Sequence, residues 1–218
     1  MNTPQIKICG LTRPEEAEFL NQEQADYAGF VFFEKSRRNV TFETATAIRQ
    51  KLDRRIKTVA VTVSPDITLL EQIEQEGFDI LQVHGELRQE ILEKADIPIW
   101  RACNLKTPED IKKLEQHEKI TGYVIDAGTY GSGKTFDWNR NKAVLEETKQ
   151  TVFARKQFIL AGGLHPGNVA EGIRIFSPDV ADVSSGVEKA EGGKDKARIA
   201  EFIRNVRRAS RTGTTSGK

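Results

Sequence analysis

The feature that most constrains how this chain folds is a regular alternation of short apolar runs with helix-length segments along nearly the whole sequence. Eight runs have the length and the β-branched composition of buried strands. They are Gln5–Cys9, Tyr27–Phe33, Ile56–Val63, Asp79–Val83, Ile97–Ala102, Gly122–Asp126, Gln157–Ala161 and Asp179–Val183. Hairpin signals do not join consecutive runs, so we predict parallel strands connected by helices. Eight such units predict an α/β fold, a single-domain (β/α)8 TIM barrel.

The length of the chain fits one domain. At 218 residues it is short for two ordinary domains and matches the size of a compact barrel. No linker, low-complexity block or change of composition divides it. We therefore predict a barrel over residues 1–210, followed by a flexible polar tail over residues 211–218.

Charge balance and cysteine content restrict the partners and the location of the protein. Lysine plus arginine (33) nearly cancels aspartate plus glutamate (32), so no overall field attracts nucleic acid or an anionic membrane. No stretch approaches the ~18 apolar residues of a membrane span, and the N-terminus lacks a secretory signal pattern. Two cysteines cannot form a disulfide framework. These features predict a cytoplasmic protein and leave its oligomeric state open.

The alternation of side chains along each strand turns several polar residues into the barrel. Bulky apolar neighbours are expected to face the helix layer, which leaves the polar residues between them facing inward. The predicted inward residues are Lys7, Cys9, Gln82, His84, Asp126, Asp182 and Ser184. They gather toward the carboxyl ends of four strands, where barrel enzymes place their chemistry. The pattern therefore indicates an enzyme.

Glycines follow the seventh and eighth predicted strands. Gly162 and Gly163 come directly after the seventh strand, and Ser185 and Gly186 follow the eighth. Glycine allows backbone N–H groups to approach an anion closely, and these two loops form the usual phosphate site of this fold. We expect Gly162, Gly163, Ser185 and Gly186 to bind a phosphate group.

Cys9 and Asp126 form a candidate acid–base pair. A thiolate accepts a proton, while a carboxyl group in a partly dry pocket stays protonated and donates one. We expect the thiol to titrate near its reference pKa of about 8.5. Cys103 ends another predicted strand and is a rival, although only Cys9 leads directly into a Gly-Leu-Thr turn.

The segment Gly128–Thr135 matches the P-loop pattern G-x-x-x-x-G-K-[ST] and follows a predicted strand. A P-loop also requires a helix that begins at the Lys-Thr pair, because the helix N-terminus holds the phosphates. The residues that follow, 136–140, show no apolar helical stripe. We therefore interpret this segment as an active-site loop.

Seven segments, in order along the chain, resemble the phosphoribosylanthranilate isomerase family of tryptophan biosynthesis. They are residues 7–12 (KICGLT), 29–32 (GFVF), 35–38 (KSRR), 82–86 (QVHGE), 131–138 (GSGKTFDW), 161–169 (AGGLHPGNV) and 182–188 (DVSSGVE) with 193–195 (GKD). In combination these motifs are specific, and they make Gly128–Thr135 the loop after the sixth strand.

The resemblance implies an isomerase that needs no cofactor and no metal. It implies the Amadori rearrangement of N-(5′-phosphoribosyl)anthranilate to the 1-deoxyribulose product. By position, Asp126 is the general acid at the ring oxygen and Cys9 the general base at C2′. Arg38 pairs with the anthranilate carboxylate, and His84 and Asp182 position the substrate. Gly163 and Ser185 lie near the phosphate.

The third predicted strand and the loop after Asp126 depart from the family pattern. Thr62 and Ser64 stand where the family often has Phe and Asn, and the loop after Asp126 is short before Gly131. These departures bear on how the anthranilate ring packs.

Other functions stay open as alternatives. An isomerase of a histidine-pathway aminoaldose performs the same reaction type but resembles a two-aspartate pattern, which Cys9 opposes. Dual specificity also stays open. A nucleotide-binding protein and a barrel that binds sugar phosphate without turnover are alternatives from other classes.

We predict that the protein binds neither Mg-ATP nor Mg-GTP, because the sequence after Lys134 lacks the apolar stripe expected of a helix that could hold phosphates. Isothermal titration calorimetry of the parent and of Lys134→Ala should give the same flat response. Micromolar binding by the parent that Lys134→Ala abolishes would make Gly128–Thr135 a P-loop.

Overall fold

The computed structural model describes residues 3–103, 114, 116–126 and 156–212, with the side chains of Asp126 and residues 210–212 left aside. Eight parallel strands form a closed barrel in sequence order, and β1 pairs with β8. The strands are β1 Gln5–Cys9, β2 Tyr27–Phe32, β3 Lys57–Val63, β4 Ile80–His84, β5 Ile99–Cys103, β6 Ile120–Asp126, β7 Gln157–Ala161 and β8 Val180–Val183. The predicted TIM barrel is confirmed, because the eight apolar runs mark these strands closely.

The described helices lie on the outside of the barrel. The described helices are α1 Glu16–Glu23, α2 Phe42–Arg49, α3 Ile67–Gln75, α4 Gln89–Lys94, α5 Val169–Phe176 and α6 Lys196–Thr212, with a short 3-10 turn at Ser185–Val187. The side chains of Thr41 and Asp66 cap α2 and α3 by accepting a backbone N–H in the first turn. Among the described residues, no helix is long and apolar enough to span a membrane. Helix α6 passes the predicted domain boundary by two residues, and residues 213–218 of the predicted tail lie outside the described residues.

Strand side chains divide into two apolar clusters, as their alternation predicts. Ile6, Ile8 and the other outward residues pack against the helices in the larger cluster. The smaller cluster fills the barrel interior and contains Cys9, Trp100 and Val124. An apolar layer thus supports the inward polar residues at the carboxyl ends of the strands.

Three aspartates fasten the amino ends of the strands. Each precedes a strand, and its carboxylate accepts the backbone N–H near the start of an earlier neighbouring strand. The pairs are Asp26 with Ile6 at 2.8 Å, Asp79 with Thr58 at 2.7 Å, and Asp179 with Phe158 at 2.8 Å. The backbone N–H of each aspartate also donates to the carbonyl of the same partner. These reciprocal bonds hold the end of the barrel opposite the polar residues.

Asp79→Ala should lower the free energy of unfolding by about 1–2 kcal/mol, because it removes the acceptor of both the Thr58 N–H and the Thr58 hydroxyl. Urea denaturation measures this loss. Asp96→Ala is the matched control, since Asp96 is exposed before β5 and its carboxylate accepts no hydrogen bond from the described residues. Equal stability of the two variants would contradict a role of Asp79 in fastening the strands.

Candidate active site

Cys9 ends β1 with its side chain in the barrel interior, where it is buried. It lies opposite Gly29 of β2, and a Cβ atom at Gly29 would lie 2.9 Å from the sulfur. Glycine at this position therefore makes room for the thiol. After Cys9 the chain turns through Gly10, whose N–H donates to the Gly29 carbonyl at 2.8 Å. The backbone on both sides of the thiol is thereby fixed.

Lys7 and Asp182 form an ion pair one layer deeper in the barrel. They lie opposite each other on β1 and β8, and Lys7 Nζ donates to Asp182 Oδ2 at 2.8 Å. The lysine side chain is fully buried. Asp182 Oδ1 is buried and has no hydrogen-bond partner among the described atoms.

Burial is the largest influence on the Cys9 thiol and raises its pKa above the ordinary value. The positive charges of Lys7 and Lys194 oppose this rise, while the negative charge of Asp182 adds to it. We expected the thiol to titrate near its reference pKa, but the dry interior shifts the pKa upward. The proton-accepting thiolate is therefore the minor form at neutral pH.

Cys103 lies on the other side of the sheet from Cys9. Its side chain belongs to the cluster between strands and helices, and its sulfur donates to the Arg101 carbonyl at 3.7 Å. The structure therefore separates the two cysteines that sequence left as rivals, because only Cys9 faces the barrel interior.

Glu188 is the centre of a charge cluster that connects the loops after β2 and β8. It accepts from Arg38 Nε at 2.5 Å and Nη2 at 3.0 Å, from Arg37 at 2.6 Å and from Lys194 at 3.0 Å. Burial alone would raise the pKa of this carboxyl group, but the hydrogen bond from Arg38 and the charge of Lys194 outweigh burial and lower the pKa to about 2. Glu188 thus stays ionised and holds three cations.

The sequence motifs contain Glu188 and Lys194, but sequence reasoning gave neither a role. The signal that could have found them is the charge of two residues that flank the predicted phosphate loop. Lys194 is fully buried, and its Nζ also donates to the Ser184 carbonyl at 3.2 Å. Arg38 lies on the same cluster, with two of its donors directed at Glu188. The predicted carboxylate-binding side chain is therefore oriented before any ligand arrives.

His84 ends β4 and makes a hydrogen bond within that strand. Its Nε2 is 2.8 Å from Gln82 Nε2, and which of the two groups donates depends on the tautomer of the imidazole. Burial, followed by the charges of Lys7 and Arg101, lowers the pKa of His84 to about 4. The ring is neutral at pH 7, which suits hydrogen bonding to a substrate rather than charge pairing.

Thr62 and Ser64, the two departures in the third strand, contact the strand that carries His84. The Thr62 hydroxyl donates to the Gln82 carbonyl at 3.0 Å, and the Ser64 N–H donates to the His84 carbonyl at 2.9 Å. Ser64 also accepts the Glu86 N–H at 2.9 Å on its hydroxyl oxygen. These residues therefore hold the carboxyl end of β4 in place.

The glycine-containing turns after β7 and β8 pack against each other. Gly162 and Gly163 have φ angles of 82° and 67°, a region that side-chain-bearing residues rarely adopt. A Cβ atom at Gly186 would collide with the carbonyl oxygen of Leu164. Both turns thus require glycine, and the 3-10 turn at Ser185–Val187 begins with N–H groups that have no acceptor within that turn. This arrangement suits an anion such as phosphate.

Two elements of the predicted site, Asp126 and the segment Gly128–Thr135, lie partly or wholly outside the described residues. The backbone of Asp126 ends β6 opposite Ala161, which places it at the same end of the barrel as Cys9, while its side chain lies outside the described part. The segment Gly128–Thr135 also lies outside the described residues. Within the described ranges, no group of three His, Cys, Asp or Glu side chains is arranged to hold a metal ion.

Comparison with known proteins gives one consistent family. Residues 6–205 match the family model of N-(5′-phosphoribosyl)anthranilate (PRA) isomerase. The chain is 40% identical over 208 residues to the N-(5′-phosphoribosyl)anthranilate isomerase of Thermoanaerobacter pseudethanolicus, covering 93% of this chain and 97% of that protein. The corresponding protein of Aquifex aeolicus is 36% identical over 208 residues, with 93% and 98% covered.

Solved structures agree with the sequence comparison. The phosphoribosyl anthranilate isomerase of Thermotoga maritima superposes with a TM-score of 0.82 at 31% identity, covering 94% of this chain and 98% of that one. A phosphoribosyl anthranilate isomerase in complex with reduced 1-(o-carboxyphenylamino)-1-deoxyribulose 5-phosphate superposes with a TM-score of 0.79 at 29% identity, with the same coverage.

The low pKa of Glu188 predicts a specific dependence of stability on pH. A carboxyl group whose pKa falls from about 4.3 unfolded to about 2 folded stabilises the protein above the unfolded pKa. That stability is lost as the pH falls toward 2. Relative to Glu188→Gln, the parent should have an advantage on the order of 2–3 kcal/mol at pH 6, which shrinks as the pH falls below 4.

Urea denaturation over a pH series measures this advantage. Glu86→Gln, which changes an exposed carboxyl group, is the control and should follow the parent. An advantage over Glu188→Gln that stays constant from pH 6 to pH 3 would show that the ionisation of Glu188 is not what stabilises the cluster.

Proposed function

Because the chain belongs to the N-(5′-phosphoribosyl)anthranilate isomerase family, we propose that it converts N-(5′-phosphoribosyl)anthranilate to 1-(2-carboxyphenylamino)-1-deoxyribulose 5-phosphate in tryptophan biosynthesis. This Amadori rearrangement moves protons and changes no atom count, so acid and base side chains suffice for it. The observation that carries the proposal is the thiol of Cys9, which faces the barrel interior on the strand of Lys7, while the Cys9 carbonyl accepts the Ser184 hydroxyl at 3.0 Å. Cys9 and Cys103 form no disulfide, which suits the cytoplasm as the location of the protein.

The reaction divides into a step that needs an acid and a step that needs a base. Asp126 protonates the furanose ring oxygen, and the lone pair of the anthranilate nitrogen expels that oxygen to give an iminium ion. The Cys9 thiolate then removes the C2′ proton, and the C–H electron pair flows toward the iminium nitrogen. The resulting enolamine tautomerises to the ketone. The iminium serves as the electron sink, which is why C2′ becomes acidic enough for a thiolate.

Binding groups at both ends of the substrate orient it between the acid and the base. The turns at Gly162–Gly163 and Ser185–Gly186 bind the phosphate through backbone N–H groups. Arg38 meets the anthranilate carboxylate, and Glu188 supports this role because it fixes the guanidinium plane by two hydrogen bonds. Neutral His84 and the unpaired oxygen of Asp182 bind hydroxyl groups of the sugar.

Substitution of the acid and the base tests the proposal. Asp126→Asn keeps the shape of the side chain but removes the transferable proton, and Cys9→Ser replaces the thiol by a hydroxyl that is too weak an acid to supply an anion. Each change should lower kcat by at least ~10²-fold with little change in KM. The assay follows the fluorescence loss of the anthranilate ribotide.

Cys103→Ala is the matched control, because Cys103 faces the helix layer. Its activity should stay within a few-fold of the parent value. Substantial activity in Cys9→Ser would remove Cys9 as the base. A parent protein that binds the ribotide without consuming it would be a binding protein rather than an isomerase.

A further inference from the structure

Lys7 has a second neighbour besides Asp182. It lies two residues before Cys9 on β1, and both side chains face the barrel interior. One N–H of its ammonium group donates to Asp182 Oδ2 at 2.8 Å. An ammonium group carries three donors, and side chains two positions apart on a strand face the same way, so the positive charge of Lys7 acts on the Cys9 thiol. Lys7 thus pairs with the Asp182 carboxylate and precedes, on its own strand, a thiol that becomes an anion when it loses its proton.

We propose that Lys7 is a positioning residue that orients the Cys9 side chain and supplies the positive charge against which the thiol loses its proton. This inference rests on the proposed role of Cys9 as the general base. In this role Lys7 acts through Cys9 and not on the reacting carbon itself.

The charge balance of the buried group explains why a lysine is required. With Cys9 protonated, Lys7 and Asp182 neutralise each other in a region that excludes solvent. Deprotonation adds a second negative charge beside Asp182, and burial makes such a charge costly. Without the ammonium group of Lys7, the charge of Asp182 would oppose the thiolate and only the charge of Lys194 would favour it. Lys7 lowers this cost by interacting with both anions.

Several other charged or titratable groups surround Cys9. Lys194 is a second buried cation whose charge acts on the thiol, but Glu188 already pairs with it. Glu188 also forms an ion pair with Arg38. His84 carries no charge at pH 7. The side chain of Asp126 lies outside the described residues. Among the groups described, Lys7 is the cation that precedes Cys9 on its own strand and pairs with the anion opposed to the thiolate.

The rate of alkylation of Cys9 by iodoacetamide, measured against pH in the full chain, tests the inference because only the thiolate reacts. A Cys103→Ala background leaves one thiol. Asp182→Asn removes the competing anion and should lower the pH midpoint of alkylation. Adding Lys7→Met to Asp182→Asn should raise that midpoint by about 1–3 pH units relative to Asp182→Asn alone, because only the Lys7 charge differs. This pair of variants avoids a buried carboxylate without a partner.

Two further variants separate charge from structure. Lys7→Arg combined with Asp182→Asn keeps the positive charge and should keep a midpoint near that of Asp182→Asn. Lys57→Met changes an exposed lysine on β3 and should leave the midpoint of the parent unchanged. If Lys7 served packing alone, Lys7→Met would lower the stability of the protein but would not raise the alkylation midpoint above that of the Lys7→Arg variant.

Equal midpoints for Asp182→Asn with and without Lys7→Met would overturn the inference. If the variant with Lys7→Met does not fold, the comparison of Asp182→Asn with the parent decides the test. An alkylation midpoint that is the same in these two proteins also overturns the inference. The pH profile of kcat/KM distinguishes this result from the fate of the proposed function. Midpoints that move while that profile stays fixed would support Lys7 as the partner of the thiol and exclude Cys9 as the base.

Discussion

The pairing of β1 with β8 closes the barrel, and the candidate site depends on this closure. It places Lys7 opposite Asp182, residues that are 175 positions apart in sequence, and their side chains meet at 2.8 Å in the interior. An open sheet would leave both residues on edge strands, where water would screen their charges. In the closed barrel the same two residues form a buried pair, and the Cys9 thiol next to them experiences their field directly.

Two buried ion pairs surround the thiol, and each is neutral when considered alone. Lys7 with Asp182 lies within the strands, and Lys194 with Glu188 lies above them in the loop after β8. Compared with apolar side chains of similar volume, such pairs contribute little net stability because the loss of hydration offsets their attraction, but removal of one partner is destabilising. Their effect on a neighbouring group is larger, since each cation lowers the cost of a thiolate in a dry site. Lys7 and Lys194 therefore oppose the rise that burial causes in the pKa of the Cys9 thiol.

Much of the fold and part of the site follow from sequence because both depend on local patterns. Alternation of bulky and polar residues identified the strands and placed Lys7 and Cys9 on the inner face of β1. The charge cluster of Glu188 could not be predicted, because Arg38, Glu188 and Lys194 come from separate loops and the sequence does not say which charges meet. The direction in which the pKa of Cys9 shifts also could not be predicted from the sequence. It depends on how completely Gly29 and the barrel interior exclude water from the thiol.

The loops at the carboxyl ends of the strands are linked to one another by carboxylates that accept backbone N–H groups and form ion pairs. Glu16 in the first turn of α1 accepts from Thr12 at 2.7 Å and from Lys194 at 2.6 Å, so the loop after β1 and the segment before α6 share one carboxylate. Lys194 then contacts Glu188, which contacts Arg38 in the loop after β2. Three loops that are separate in sequence thus form one connected network around Cys9. A substrate carboxylate at Arg38 would therefore bind to a side chain whose position is already fixed relative to the thiol, and little conformational entropy is lost when it binds.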